Sequence, residues 1–365
     1  MAFSETYKNS KSGDRFPGRA VSGRNGWRSP SNIALVKYWG KRSLQLPMNP
    51  SISFTLKGCF TETTIEYEFN PERPKCELQY HFEGTLNENF YERVHDYLKN
   101  LKEYIPVISK LRLNISSSNS FPHSAGIASS ASAYSALALC LLDIEQKIQG
   151  KRLPQEEFYR RASFLARLGS GSASRSLYGY SALWGSTPDM DISSDEFAVG
   201  LEDILHEVFM DYQDTILILD DRAKQISSSQ GHAFMEKNPY AEVRYAQAKK
   251  NTTELYHAFR GGDLMKFINI TEKEALSLHA MMLTSSPAFF LMQPATIELI
   301  RLIREYRKES GIPVCFTLDA GPNIHILYPN VYRDKIHSFI RERLVSLCPQ
   351  EKIIYDGVGS GPVSI

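Results

Sequence analysis

The 365-residue chain lacks most of the signals by which a sequence declares its partners. It has no surplus of one charge. Lys and Arg number 42 against 41 Asp and Glu, so nothing draws it as a whole to nucleic acid or an anionic membrane. Any anion site has to be local. Cysteines are few, five in all, scattered at 59, 76, 140, 315 and 348 without a C-x-x-C pair. That pattern speaks against a disulfide framework and fits reduced thiols in a reducing compartment. No apolar run approaches the ~18 residues of a membrane span. The first 26 residues are polar and have no apolar centre of a secretory signal. They are expected to be a flexible or surface-wrapping lead, and the protein to be cytoplasmic. Neither G-x-x-x-x-G-K-[ST] nor G-x-G-x-x-G occurs, which removes the P-loop and the dinucleotide fingerprint. A repeat of 20–50 residues is also absent.

What is present is ordinary in bulk and informative in four places. With 42% hydrophobic and 23% charged residues the chain is a globular protein, long enough for two domains. The first informative place is 111–142. A strand-like run leads into a loop of small residues, FPHSAGIASSASA at 121–133, and then into an apolar helix. Such a loop aims backbone N–H groups and a positive helix end at one point, which suits phosphate, or it is simply a serine-capped helix. The second is SPSNIALVKYWGKR at 29–42, where Lys37, Lys41 and Arg42 crowd Tyr38, Trp39 and Gly40. It reads either as the edge of a site or as an edge strand with its usual lysines. The third is GSGSASRSLYG at 169–179, in which serines and glycines surround one cation, Arg175. Hydroxyls, N–H groups and a guanidinium fork are what a second anion site needs. The fourth is TLDAGPN at 317–323, where Asp319 ends an apolar run before a Gly-Pro turn, placed to meet a ligand or to cap the turn.

Periodicity orders the remainder. A short apolar core strand or buried turn is expected over 33–36, and half-buried strands over 51–56 and 63–69. A further strand over 76–82 is expected to pair with the last of these across the turn at 70–75. Residues 90–101 read as a helix burying Val94, Tyr97, Leu98 and Leu101. Another helix starts at Pro154. The segment 177–184 is strand-like. The acidic, turn-like stretch 187–201 is the candidate boundary, giving a lead at 1–26 and domains at 27–200 and 201–365. The second half reads β–α–α–β–β–α–β, with strands at 214–219, 313–319, 323–328 and 352–355. That order suits an α+β sandwich with helices on one face of an antiparallel sheet.

Taken together, these motifs, with KQISSSQG at 224–231 and GVGSGP at 357–362, resemble the diphosphomevalonate decarboxylase family. That family belongs to the superfamily that also holds galactokinase, homoserine kinase and mevalonate kinase. The resemblance runs from about residue 29 to 362. It implies an N-terminal ribosomal-S5-like α+β domain, a C-terminal ferredoxin-like domain, and an active site in the cleft between them. It also implies a reaction in which ATP, with Mg²⁺, phosphorylates the 3-hydroxyl of (R)-5-diphosphomevalonate. Loss of phosphate and CO2 then yields isopentenyl diphosphate.

The resemblance carries residue roles with it. Asp319 and Lys37 are the expected catalytic pair. Tyr38, Lys41, Ser170, Ser172, Arg175 and Ser227 or Ser228 are expected to hold the substrate. Ser117, Asn119, Gly126, Ile127, Ala128, Ser129 and Ser130 are expected beside ATP. Magnesium is expected mainly on phosphates and water, with Ser130 as the one protein hydroxyl near it. A homodimer is implied, and no membrane or nucleic-acid partner. The chain departs from the family pattern at His123, where threonine is usual, at Asn49-Pro50-Ser51, and in having no acidic residue soon after Lys41. None of these changes Asp319, Lys37 or Arg175 itself. Two other functions compete: a 3-hydroxyl kinase without decarboxylation, and a non-catalytic relative.

Overall fold

In the computed structural model, which describes residues 3–8, 18–122, 127–220, 222 and 228–365, the strongest alternation in the sequence becomes the longest strand. After β1 (Val21–Ala34) comes β2 (Ser51–Phe69), a single 19-residue strand where two shorter ones were expected. Its first six residues are buried on both faces, and the rest alternate in and out. Of the segment expected over 33–36, Ile33 and Ala34 end β1, which begins at Val21, and Leu35 and Val36 bend away from it. Polar residues 21–26 conceal that start, because they pair with β2 residues 64–69 along the sheet and do not follow an apolar pattern.

The sheet is completed by β3 (Glu77–Phe82), β4 (Thr85–Leu86), β5 (Leu111–Asn119), β6 (Ser181–Trp184) and β7 (Ala198–Gly200). β3 does not pair with β2 across the turn, contrary to expectation. It runs parallel to β5, which lies between them and pairs antiparallel with β2. The connection from β3 to β5 passes through a helix, so this is a crossover unit whose returning strand inserts at the free edge of β2.

A short N-terminal helix, α1 (Phe3–Lys8), lies against this half, with the Phe3 ring 4.6 Å from Phe197 and 5.7 Å from Phe164. Helix α2 (Glu88–Leu101) is capped by the Asn87 side chain, which accepts from the Phe90 N–H, and buries Val94, Tyr97, Leu98 and Leu101 as its periodicity predicts. Helix α3 (Ser129–Gln149) is rich in Ala and Leu and is buried nearly all round. With α4 (Gln155–Gly169) it covers the sheet and forms the first core.

The second half holds β8 (Gln213–Leu217), then α5 (Ser228–Phe234), α6 (Ala241–Gly261), α7 (Leu264–Leu283) and α8 (Pro294–Ser310). β9 (Cys315–Leu318), β10 (Ile324–Tyr328), α9 (Arg333–Phe339) and β11 (Ile353–Gly357) follow. The four strands form an antiparallel sheet in the order β11-β8-β10-β9, as the pattern of elements predicts. The sheet is not bare on its second face, as helices on one face alone would leave it. Leu217, Phe316, Ile324 and Ile326 pack with α8 and α9. Ile216, Ile218, Cys315 and Leu327 instead enter a core shared with Ile33, Leu35, Ile52 and Phe54 of the first half. Strands buried on both faces lose the polar alternation that would have marked an open face.

Phe54 shows how the halves meet. Its ring lies 5.6–5.8 Å from those of Tyr212, Phe259 and Phe267. The chain end adds a polar tie. The Asp356 carboxylate accepts the backbone N–H groups of Lys57, Gly58 and Cys59 at 2.7–3.0 Å. Beyond it, β12 (Val363–Ser364) returns to pair with β1. The substitution Asp356→Ala leaves these three N–H groups, and that of buried Gly357, without their acceptor. Lys57 and Gly58 lie at the surface and recover water, whereas Cys59 is buried. The expected loss is therefore about 2 kcal/mol, read as a lower midpoint with unchanged slope in urea unfolding.

Candidate active site

Lys37 follows β1 into the seam between the two halves and is 1% exposed. Its Nζ donates to the Asp319 Oδ1 at 2.9 Å and to the Ala34 carbonyl at 2.5 Å. Asp319 stands just past β9 with its side chain about a quarter exposed. One group is thus sealed in protein while the other faces open space. Burial pushes the Lys37 amine below its ordinary value of 10.5, and the Arg175 charge adds to this. The Asp319 and Glu274 carboxylates oppose the shift.

Arg175 sits in a 3-10 helix, Gly171–Leu177, where a flexible glycine-serine turn was the competing reading. The serines explain the order. Asn32 Nδ2 donates to Ser176 Oγ at 2.8 Å and to the Ser172 carbonyl at 3.1 Å, and Ser174 Oγ donates to the Gly171 carbonyl. The guanidinium is 2% exposed. Its Nε donates to Ser53 Oγ at 3.1 Å and its Nη2 to Asn32 Oδ1 at 3.2 Å. Its Nη1 has no hydrogen-bond partner among the described residues. Burial pulls Arg175 down to about 10, opposed by Asp319 and Tyr38, so it is a cation at neutral pH.

The Tyr38 hydroxyl, buried beside Trp184 and His232, is likewise without a partner among the described residues. Burial raises its pKa, so it is a phenol and a donor. Two buried donors left open within the field of the Lys37–Asp319 pair are what an anionic ligand would satisfy.

The hydroxyls form a line. Ser130 Oγ lies 3.3 Å from Ser170 Oγ, which lies 3.2 Å from Ser172 Oγ. The serine loop and the Arg175 motif, 40 residues apart, are thereby one surface. Ser117, Asn119, Ser129 and Ser130 also line a cavity walled by Tyr80, Phe82, Phe90 and Tyr134. Ser117 Oγ is held by Thr63 Oγ1 at 3.0 Å, and Asn119 Oδ1 accepts from Thr61 Oγ1 at 2.8 Å. Ile127 has its side chain in the shared core, so only its backbone can face a ligand, and its carbonyl already accepts from Ser31 Oγ. Ala128 opens α3 in the left-handed region, φ +43°. The Lys41 ammonium donates to Gln45 Oε1 at 3.1 Å, and burial lowers its pKa. Gly126, Ser227 and His123 lie outside the described residues, as does the side chain of Ser228.

The sequence reading missed the support of Lys37. Glu274 of α7 is wholly buried and accepts the Lys37 backbone N–H at 2.8 Å. Its carboxylate is in turn held by Arg244 and Asn251 of α6. His279 Nε2 bonds the Asp319 carbonyl oxygen at 3.1 Å. In sequence these residues sit on charged helical faces that read as solvated, and nothing local marks them as buried. Asn32 had a signal, since it stands inside the motif at 29–42, whereas Ser53 stands in a strand outside every motif.

The described residues contain no group of three or more His, Cys, Asp or Glu able to hold a metal ion. The hydroxyl line suits a cation that arrives on phosphate oxygens.

Comparison with known proteins agrees with this geometry. Residues 29–197 match the diphosphomevalonate decarboxylase-like N-terminal domain, and residues 215–362 the mevalonate 5-diphosphate decarboxylase C-terminal domain. The diphosphomevalonate decarboxylase of Candida albicans is 32% identical over 326 residues, 86% of each chain. Among solved structures, mevalonate diphosphate decarboxylase from Staphylococcus aureus matches with a TM-score of 0.80 at 29% identity, covering 94% of this chain and 98% of that one. A complex of MDDEF with MVAPP, AMPPCP and magnesium matches at 0.79 and 29% identity, covering 94% and 99%. The chain belongs to the diphosphomevalonate decarboxylase family, within the superfamily of galactokinase, homoserine kinase and mevalonate kinase.

Proposed function

We propose that the chain catalyses the ATP-dependent decarboxylation of (R)-5-diphosphomevalonate to isopentenyl diphosphate, with CO2, ADP and phosphate as the other products. This makes it an ATP-dependent carboxy-lyase of the mevalonate route of isoprenoid biosynthesis. The observation that carries the reading is the contact between the sealed Lys37 ammonium and the open Asp319 carboxylate.

The substrate's 3-hydroxyl is tertiary, a poor nucleophile and a poor leaving group. Asp319, held in one orientation by Lys37, is positioned to accept the hydroxyl proton as the oxygen takes up the phosphoryl group. When the C3–O bond breaks, positive charge grows at C3, and the Asp319 carboxylate stabilises it. The C1–C2 bonding electrons then become the C2=C3 π bond as CO2 departs. Arg175 Nη1 and the Tyr38 hydroxyl are donors for the substrate's anionic groups, with Ser170, Ser172 and Lys41 completing the grip. Ser227 and Ser228 remain assigned to that grip by the family resemblance. Ser117, Asn119 and the Gly126–Ser130 loop hold the nucleotide. Ser130 would lie beside an Mg²⁺ ion carried on the nucleotide phosphates, and that ion would supply charge neutralisation for phosphoryl transfer.

The finer architectural reading is a ribosomal-S5-like domain over 27–200 and a ferredoxin-like domain over 201–365, with residues 1–26 as a lead whose last six residues join the first sheet as the start of β1, and the site in the cleft between the domains. The antiparallel order of β8–β11 supports the ferredoxin-like part. A homodimer is proposed on the family resemblance. Five free thiols support a cytoplasmic location.

Incubation with ATP, Mg²⁺ and 5-diphosphomevalonate is expected to yield isopentenyl diphosphate and CO2 in equal amounts with ADP. Release of ADP without CO2, or preference for the 5-monophosphate, overturns the assignment. Asp319→Asn is expected to lower kcat at least about a hundredfold with a small change in KM. Near-normal turnover removes Asp319 from its role. The pH dependence has a fixed sign. The Lys37 ammonium persists below its lowered pKa and is lost as pH rises through it. The alkaline limb of kcat/KM is therefore expected below the ordinary 10.5, and Glu274→Gln, which removes a charge that raises Lys37, moves it lower still. A limb that stays put in this variant separates Glu274 from the chemistry.

A further inference from the structure

His232 lies on α5, directly after the last glycine of the motif KQISSSQG, and no step above uses it. It is 8% exposed. Its Nδ1 accepts the Gly40 backbone N–H at 2.9 Å. Its ring packs between two side chains of the same turn, 4.4 Å from Tyr38 and 4.7 Å from Trp39, centroid to centroid. We infer that His232 is a positioning residue for substrate binding, which locks the turn bearing Tyr38 and Lys41 onto α5.

Three observations carry this. First, Gly40 is buried, so its N–H needs a protein acceptor, and an unpaired one costs free energy. Second, the turn has little other freedom. Gly40 has φ +102°, and a Cβ there would collide with the Tyr245 hydroxyl. A Cβ on Gly231 faces the Trp39 ring at 2.5 Å on the other side. The turn is thus a close-fitting key between α5 and α6, and the Gly40–His232 bond is its directional contact. Third, Nδ1 can accept only if the ring proton is on Nε2 and the imidazole is neutral. Burial, aided by the Lys41 charge, brings His232 down to about 3, which keeps it neutral at neutral pH.

The consequence is specific to the substrate side of the site. Tyr38 and Lys41 lie on either side of Gly40. α5 begins at Ser228, one turn before His232. One imidazole therefore couples two separate segments assigned to the substrate's anionic groups. The Lys37–Asp319 contact and the nucleotide residues do not pass through it. Loss of His232 should weaken substrate binding while leaving chemistry and ATP binding largely intact.

The inference rests on the proposed decarboxylase reading, and the test keeps the two apart. Asparagine carries its Oδ1 where histidine carries Nδ1, leucine fills similar space without an acceptor, and glutamine places its oxygen one methylene too far. KM for 5-diphosphomevalonate is expected to rise about tenfold in His232→Leu. KM for ATP and kcat should stay within about threefold, and His232→Asn should recover most of the loss. If the leucine protein does not fold, His232→Gln takes its place in the comparison with asparagine. An unchanged KM in leucine, or asparagine as impaired as leucine or glutamine, overturns the inference. A wild-type protein inert toward 5-diphosphomevalonate strikes the decarboxylase reading instead. In that case ¹⁵N spectra of the histidine-labelled protein at pH 7 decide the hydrogen bond. A neutral ring with bare Nδ1 supports it, and an Nδ1–H tautomer or an imidazolium overturns it.

Discussion

A lysine ammonium with 1% of its surface exposed holds its charge only where carboxylates face it, and this requirement organises the molecule around Lys37. The residue leaves the end of β1, but the groups that answer it come from the other half of the chain. Asp319 reaches its ammonium from the end of β9, and Glu274 of α7 accepts its backbone N–H. Glu274 is itself wholly buried, so it needs Arg244 and Asn251. One buried cation thus calls up a chain of partners across two sheets. None of those contacts survives a shift of an ångström or two between the halves. The shared aromatic core around Phe54 and the Asp356 tie at the chain end are what prevent that shift.

Two kinds of residue behaved differently between sequence and structure. Lys37, Asp319, Arg175 and the serines stand in short motifs whose composition already conflicts with a solvated surface or a plain core. Each motif alone also admitted a bland reading, and it was their occurrence together in one chain that made the chemistry visible. Glu274, Arg244, His279 and His232 stand on helices of ordinary composition. What singles them out is a partner between about 30 and 240 positions away, and no window of sequence contains that partner. The same limit explains the strands. The alternation in β2 was legible, but its union into one strand was not. The insertion of β5 between β2 and β3 was also hidden, because pairing partners are chosen by whichever edge is left free. The second sheet was legible in element order. Its doubly buried character was not, since the face that seemed free is closed by residues of the other half.

The open donors of Arg175 and Tyr38 complete the picture from the energetic side. Each is buried, and each could have been given a protein partner; Arg175 already spends its other two nitrogens on Asn32 and Ser53. A buried donor left open weakens the free protein, and a group that brings an acceptor to that point removes the deficit. Selectivity follows from the same deficit. A molecule lacking an anion there leaves two donors buried and unpaired, and a site of this kind discriminates more sharply than an apolar pocket can. The close-fitting turn at Gly40 belongs to this economy. Donors that are to meet a small anion must not relax toward other partners, so the backbone carrying Tyr38 is pinned by His232 on one side and closed off by Tyr245 on another. On the proposed function, rigidity around these two donors is as much a part of recognition as the donors themselves.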